Sequence, residues 1–350
     1  MPEASVVVLT YNSSRHVHAC LDGLRRQTCS DFETIVIDNA SSDGSAELVA
    51  ACYPEVRLLR NERNLGYAAG CNRGLREARG WCLAVLGPDC TPEPEWLEAL
   101  VRACRQPRAG LVTSMVRHHG APELINACGN DVHLLGMGFC CGLDDPWEAH
   151  NEPGEVAAIS GCSFAMPRQV FERVGGFNET FFMYCEGTDL SLRTWAAGYR
   201  VLYVPNSVAY HRYRLDLQPV KFFLLERNRY LVLLGNLRRR TLLVLLPGLL
   251  LGELMMWTYA ILRGPRFVAS KARSWGWLLT HRAEVKGIEK QRARRGTGDA
   301  PLLWVLTARL SDRQVLAGSR VSRALCGLAN LFFRGVLGLA RRLDRRAPWQ

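Results

Sequence analysis

The stretch FFMYCEGTDLSLRTWAAGYR, residues 181–200, carries two carboxylates, Glu186 and Asp189, where an aromatic run gives way to a helical pattern. Residues three apart share one side of a helix. Two like charges that close raise one of the two pKa values, which makes a base of an ordinary carboxylate. The same acids would equally suit a first helical turn, against the positive end of the helix dipole, with no chemistry at all. Which role they have depends on what the fold brings to them.

Short apolar runs, ASVVVLT, ETIVID, VRLLR and WCLAVLG, alternate with amphipathic stretches of helical length. That β-α-β-α rhythm predicts an α/β domain with a mainly parallel sheet. Ligands of such sheets lie beyond the C-terminal ends of the strands. The residues found there are Thr10, Tyr11 and Asn12; Asp38, Asn39 and Asp43; Asn61 to Gly66; and Pro88 and Asp89. Each group alone is equally consistent with turn chemistry.

Charge divides the chain near residue 210. Residues 1–210 hold 17 Arg, no Lys and 25 acids, a net of −8, whereas residues 211–350 net +19. An acidic half repels polyanions, so a phosphate bound there is met through a metal ion or backbone N–H groups. The basic half suits nucleic acid or an anionic lipid surface. The run TLLVLLPGLLLGELMMWTYAIL, residues 241–262, favours lipid. As a helix it would extend about 33 Å, but Pro247 and Glu253 interrupt it and both flanks are basic (Arg238, Arg239 and Arg240; Arg263, Arg266, Lys271 and Arg273). An in-plane or re-entrant segment fits that symmetry better than a span; a buried soluble helix is the third alternative. Leu325, Leu328, Phe332, Val336, Leu339 and Leu343 follow helical spacing, with Arg323, Arg334, Arg341, Arg342, Arg345 and Arg346 around them. Such a stripe marks an interfacial helix or one packed on the protein itself. Thirteen cysteines without a CxxC pair predict reduced, mostly buried thiols. The N-terminus has no secretory pattern, which predicts a cytosolic first half.

In order, VVVLTYNSSRHVHACLDGLRRQT, TIVIDNASSDGSAELV, RNLGYAAGCNRGL, LGPDCTPEPEWL, GCSFAMPRQVFERVGGFNETFFMYCEGTDLSLR and VPNSVAYH resemble the family 2 glycosyltransferases, above all rhamnosyltransferase-like members. The likeness runs from about residue 4 to 215. It implies a GT-A fold, a nucleotide-sugar donor (dTDP- or UDP-linked), Mg2+ or Mn2+, and inverting transfer to an acceptor hydroxyl. A leaving diphosphate develops charge that a hard cation on few carboxylates neutralises. The resemblance implies that Asp89, the single acid of GPD, and His211 of VAYH hold the cation. It further implies that Thr10, Tyr11 and Asp38 hold the nucleotide, Asp38 by accepting from N3–H of uracil or thymine, with Asn64, Gly66 and Asn72 beside it. The chain departs from the family at Gly87, often Asn there, and at Gly187, where the family's acid-acid-x-acid places the base.

A dinucleotide oxidoreductase would need a glycine-rich turn after the first strand, and TYNSSRH has none. A nucleic-acid module would leave Asp38 and Asp89 idle. The expectation is a GT-A catalytic domain over 1–215 and a helical, basic, membrane-associating region over 216–350, on the cytoplasmic face of the membrane. It adds one sugar, with rhamnose from a dTDP donor as the leading case, to a lipid-linked or cell-surface glycan precursor. The absence of QxxRW argues against processive synthesis. Glu186, with Asp189 as the alternative, takes the base role that Gly187 cannot fill; a binder of the same fold that has lost its chemistry is the competing reading.

Overall fold

The structure is a computed structural model describing residues 1–212, 216–293, 298–311, 314 and 320–344. Arg345, Arg346 and the side chain of Arg323 lie outside the described residues. The chain forms two compact units, Met1–Asn130 with Cys140–Arg214, and Asp131–Phe139 with Leu215–Gln350.

In the first unit, β1 (Ala4–Thr10) is buried along its whole length, as befits a β-branched run covered on both faces. It pairs in parallel with β2 (Phe32–Asp38) and with β4 (Cys82–Leu86), and β2 pairs in parallel with β3 (Arg57–Arg60). Helices α1 (Val17–Arg25), α2 (Ser45–Cys52) and α3 (Gly66–Glu77) connect them. Beyond β4 and its short successor β5 (Cys90–Pro92) come α4 (Trp96–Cys104) and β6 (Ala109–His118). The chain continues through β7 (Ala121–Ala127), β8 (Asn130–His133), β9 (Gly138–Cys140), β10 (Gly154–Glu155), β11 (Ser163–Pro167), α5 (Arg168–Val174), α6 (Glu186–Ala196) and β12 (Arg200–His211). The large sheet runs β10-β12-β6-β11-β4-β1-β2-β3, with β5 on β12 and β7 on β6. β11 is antiparallel between β4 and β6, whereas β12 and β6 are parallel.

In the second unit α7 (Pro219–Asn236), α8 (Arg239–Arg263), α9 (Pro265–Thr280), α10 (Arg282–Ala293) and α11 (Ala300–Val305) precede β13 (Leu306–Thr307) and a C-terminal helix, Arg320–Leu343. The segment 131–139 was expected in the first region. It belongs to the second unit because Val132 and His133 pair with Leu306 and Thr307 of β13. Glu253, read from sequence as an interruption, is neutralised: it meets Arg229 and Tyr230, and Lys271 Nζ stands 2.9 Å from its Oε2. Glu226 pairs with the same Arg229 and Lys271, so two anions and two cations balance among α7, α8 and α9. That pairing is what lets charge sit inside an apolar bundle.

Two stripes remain uncovered. On α8, Leu243, Leu246, Leu250, Leu254 and Ile261 are exposed, while Leu245, Gly248, Gly252 and Ala260 face inward. On the C-terminal helix Leu325, Leu328, Phe332, Leu339 and Leu343 are exposed, while Cys326, Ala329, Phe333, Leu337 and Ala340 are buried. Val336, expected on the outer stripe, is buried instead. Both helices are long and apolar enough to cross a membrane by length and composition.

Candidate active site

The β1–β2 register sets Thr10 beside Asp38. Thr10 Oγ1 donates to Asp38 Oδ1 at 3.3 Å, and the Ser41 amide donates to Oδ2 at 3.2 Å. Both side chains are buried, whereas Tyr11 is exposed beside them. Asn12 and Ser41–Ser42, with Ser13 and Ser45, tie the two strand-end loops together. Asn39 gathers the third loop: its Nδ2 donates to Asn64 Oδ1 at 2.8 Å and Gly66 O at 3.2 Å, and its Oδ1 accepts from Asn61 and the Leu65 amide. Asn72 stands apart from this group. Its amide spans Phe177 N, Phe177 O and Glu179, which makes it a strut between α3 and the 177–179 segment.

Gly66 has φ of +81°, and a Cβ there would stand 2.4 Å from the Phe182 ring and 2.6 Å from its carbonyl oxygen. Only glycine allows that approach. The Ala68 amide donates to the same Phe182 carbonyl at 3.2 Å. Phe182, Tyr184 and Cys185 all have positive φ, between 62° and 68°. Left-handed backbone at three bulky residues is strain of the kind that collects at functional sites. It delivers the chain to Glu186, the first residue of α6.

Glu186 is 7% exposed, and its Oε2 is buried without a hydrogen-bond partner. Burial, with a smaller push from Asp189, raises its carboxyl to about 7 against the lowering effect of a backbone N–H. Asp189 is 2% exposed and accepts from Arg193 Nε at 2.8 Å; Arg193 also donates to the carbonyls of Val174 and Gly176. It is a strut binding α6 to the end of α5. Between them, Gly187 leaves room: a Cβ there would meet nothing closer than Ile159 Cγ1 at 3.6 Å.

The other acid arrives from the strand ends. Asp89 lies between β4 and β5, and the β5–β12 register pairs Cys90 with His211. His211 Nε2 stands 3.3 Å from Asp89 Oδ2, while Nδ1 faces Asn126 Oδ1 at 2.9 Å. Burial works to raise Asp89, but the His211 contact outweighs it and holds the carboxyl below its usual range. A carboxylate and an imidazole converge on one point, with the far ring nitrogen held by an amide oxygen, an arrangement that fits a divalent cation. Gly87 is tight: a Cβ would stand 2.9 Å from Asp89 Oδ1 and 3.2 Å from Cys90 Sγ. The Gly87 amide donates to Cys162 O at 2.7 Å. A Cβ on the preceding Gly161 would stand 4.0 Å from Glu186 Oε1. Gly161 thus borders Glu186, while the next residue, Cys162, accepts from the Gly87 amide two residues before Asp89. Asn126 carried no sequence signal, and Gly161 and Cys162 stood out only as the start of GCSFAMPRQV, with no role attached; strand register brings all three here. Two clefts of about 320 and 530 Å³ border α4 and contain none of these residues.

Comparisons with known proteins identify the family. The model described as glycosyl transferase family 2 matches residues 5–175, and one described as N-terminal domain of galactosyltransferase matches residues 147–215. The chain is 30% identical over 231 residues to the N-acetylglucosaminyl-diphospho-decaprenol L-rhamnosyltransferase of Mycobacterium tuberculosis, spanning 59% of this chain and 75% of that one. It is 33% identical over 103 residues to glycosyltransferase AglE of Haloferax volcanii, 28% of this chain and 34% of the relative. Among solved structures it is similar in fold to GalNAc-T7 with UDP, GalNAc and Mn2+ (TM-score 0.55, 21% identity, 67% of this chain and 48% of that one). It is likewise similar to the mannosyltransferase PcManGT of Pyrobaculum calidifontis in complex with GDP-Man and Mn2+ (TM-score 0.51, 16% identity, 99% and 88%). The chain belongs to glycosyl transferase family 2 and is rhamnosyltransferase-like within it.

Proposed function

We propose that this glycosyltransferase moves one sugar, rhamnose from a dTDP donor being the leading case, from a nucleoside diphosphate sugar to a hydroxyl of a lipid-linked glycan precursor, with inversion. The single observation that carries the reading is Glu186, buried with an unpartnered Oε2 after a strained turn and bordering Gly161, whose neighbour Cys162 meets the Gly87 amide beside Asp89. Thr10 and Asp38 would receive the pyrimidine edge, with Asp38 accepting from N3–H, and the exposed Tyr11 ring is free to lie on the base. Asn64 and Gly66 shape the floor of the same pocket.

Asp89 and His211 would hold a divalent cation, Mg2+ or Mn2+, whose charge offsets that of the departing diphosphate. Glu186 takes the proton of the acceptor hydroxyl on Oε2, and the freed oxygen attacks the anomeric carbon from the face opposite the diphosphate. That geometry inverts the configuration. General-base help of this kind is worth about 10²- to 10⁴-fold. Asp189 contributes by fixing α6, and so Glu186, through Arg193.

The decaprenol-linked substrate in the name of the Mycobacterium tuberculosis relative and the two uncovered apolar stripes support an acceptor met at a membrane surface. Their basic flanks, Arg238, Arg239, Arg240, Arg263 and Arg266, suit anionic headgroups, which favours peripheral or monotopic attachment at the cytoplasmic face. Gly187 supports one second reading, a nucleotide-sugar binder without turnover. Transfer assays with Glu186→Gln separate the two: the enzyme loses activity it had, and the binder has none to lose.

A further inference from the structure

Beside the Asp89–His211 pair stand two thiols that the transfer reaction does not use. We infer that Cys90, Cys162 and His211 form a site for a thiophilic divalent cation, Zn2+ foremost, overlapping the place of the hard cation and excluding it. The inference goes beyond the proposed transfer chemistry and stands on the cluster itself.

Two strand registers assemble the cluster. Cys90 opens β5 and pairs with His211 on β12, and Cys162 precedes β11, whose Ser163 pairs with Leu86 of β4. One donor atom from each of the three residues lies within 4.8 Å of the other two. With Zn–S near 2.3 Å and Zn–N near 2.0 Å, the ligands of a tetrahedral zinc stand about 3.3–3.8 Å apart, so side-chain rotation suffices to close the set. The thiols already interact with one another and Cys162 with His211; Cys90 Sγ also stands 3.8 Å from Cys162 O, and Cys162 Sγ 3.3 Å from Ser160 Oγ. Asn126 Oδ1 faces His211 Nδ1 at 2.9 Å and directs Nε2 at the cluster, the outer contact that metal-ligating histidines usually have. The fourth position of the tetrahedron is left to water, with Asp89 Oδ2 beside it, 3.3 Å from Nε2.

Thiolate sulfur selects Zn2+ over Mg2+ and Mn2+, which prefer oxygen. Binding displaces the protons held by the two thiols and by the His211 imidazolium to solvent and forms two Zn–S bonds and one Zn–N bond with no change of oxidation state. Because His211 is shared and Asp89 stands against it, zinc occupancy takes the imidazole from the hard cation. The other close thiol pair, Cys82 and Cys104 with sulfurs 3.6 Å apart, is fully buried between β4 and α4 and makes an internal control.

The test uses the full-length, metal-stripped, reduced protein titrated with Co2+ as a spectroscopic stand-in for Zn2+. A sulfur-to-cobalt charge-transfer band should appear at one equivalent, weaken at least tenfold in affinity in Cys90→Ser or Cys162→Ser, and vanish in the double variant. It should persist in Cys104→Ser and in Cys52→Ser, which alters an exposed thiol. Asn126→Ala should weaken Co2+ binding about 10- to 100-fold. Zinc-edge X-ray absorption of the unaltered protein with one equivalent of Zn2+ is independent of any variant's folding. Two sulfurs with nitrogen or oxygen ligands are expected. A shell without sulfur, or a cobalt band unchanged in a folded double variant, overturns the inference.

Discussion

Glu186→Gln separates catalysis from structure because the two effects have opposite signs. The carboxyl is raised from its ordinary 4.5 to about 7, which at about 1.36 kcal/mol per pH unit corresponds to about 3 kcal/mol. The folded-state value is the higher one, so the native state binds the proton more tightly than the unfolded chain does. The associated stability is present below about pH 4.5 and is lost as the pH rises through about 7. Above that, the native fold carries a buried charge with an unpartnered oxygen. Gln has the same shape and no charge. Chemical denaturation of both proteins at pH 5 and pH 8, without donor or metal, should therefore show the variant gaining about 2.5 kcal/mol relative to wild type between the two pH values, since part of the linkage already lies below pH 5. Transfer at pH 8 should fall by about 10²- to 10⁴-fold with donor affinity preserved. A variant equally destabilised at both pH values, or one that retains transfer, would refute the assignment.

Four further outcomes follow from the same geometry. The transfer rate of the unaltered protein should rise with pH through about 7 as Glu186 loses its proton, and the residual rate of Glu186→Gln should lack that step when both are followed from pH 5.5 to 8.5. Asp89→Asn keeps the shape beside His211 and removes the charge, so titration calorimetry should find donor binding no longer enhanced by Mn2+; wild-type enhancement would move the cation elsewhere. Gly187→Asp puts a Cβ in ordinary van der Waals contact with Ile159 Cγ1, at 3.6 Å, and should leave the melting temperature within a few degrees of wild type, while the pair Gly187→Asp with Glu186→Gln should regain part of the lost transfer; unfolding, or no recovery, counts against the spatial argument. Leu246→Asp with Leu250→Asp should weaken sedimentation with anionic vesicles, and raising salt should weaken it further because exposed charges are screened within about 10 Å at 0.1 M; an unchanged pellet would place the membrane contact on another face.

What the sequence disclosed was local. The runs that become β1 to β4 are short, largely apolar and bounded by polar turns, so the strands and the residues at their ends, Thr10, Asp38 and Asp89, could be read in order. The pairing of Cys90 with His211 depends on a register between strands more than 100 residues apart in sequence, which no local pattern encodes. Cys162 looked like one more buried thiol, and only its place before β11 sets it against Gly87. Phe182, Tyr184 and Cys185 give no sign of left-handed backbone, since none has the side chain that favours it. Asp189 and Asn72 have the residue types of ligands but are engaged by Arg193 and by the Phe177 backbone. Glu253 interrupts an apolar run in one dimension; in three, Arg229 and Lys271 meet it.

Transfer by the full chain from a panel of nucleotide sugars to a polyprenyl-diphosphate-linked acceptor, with Mn2+ or with chelator, tests the central claim most directly. The account predicts turnover of a pyrimidine-linked donor, dTDP-rhamnose first, that requires the cation and collapses in Glu186→Gln. Preference for a purine-linked donor, turnover indifferent to chelation, or equal rates from the Gln variant would contradict it.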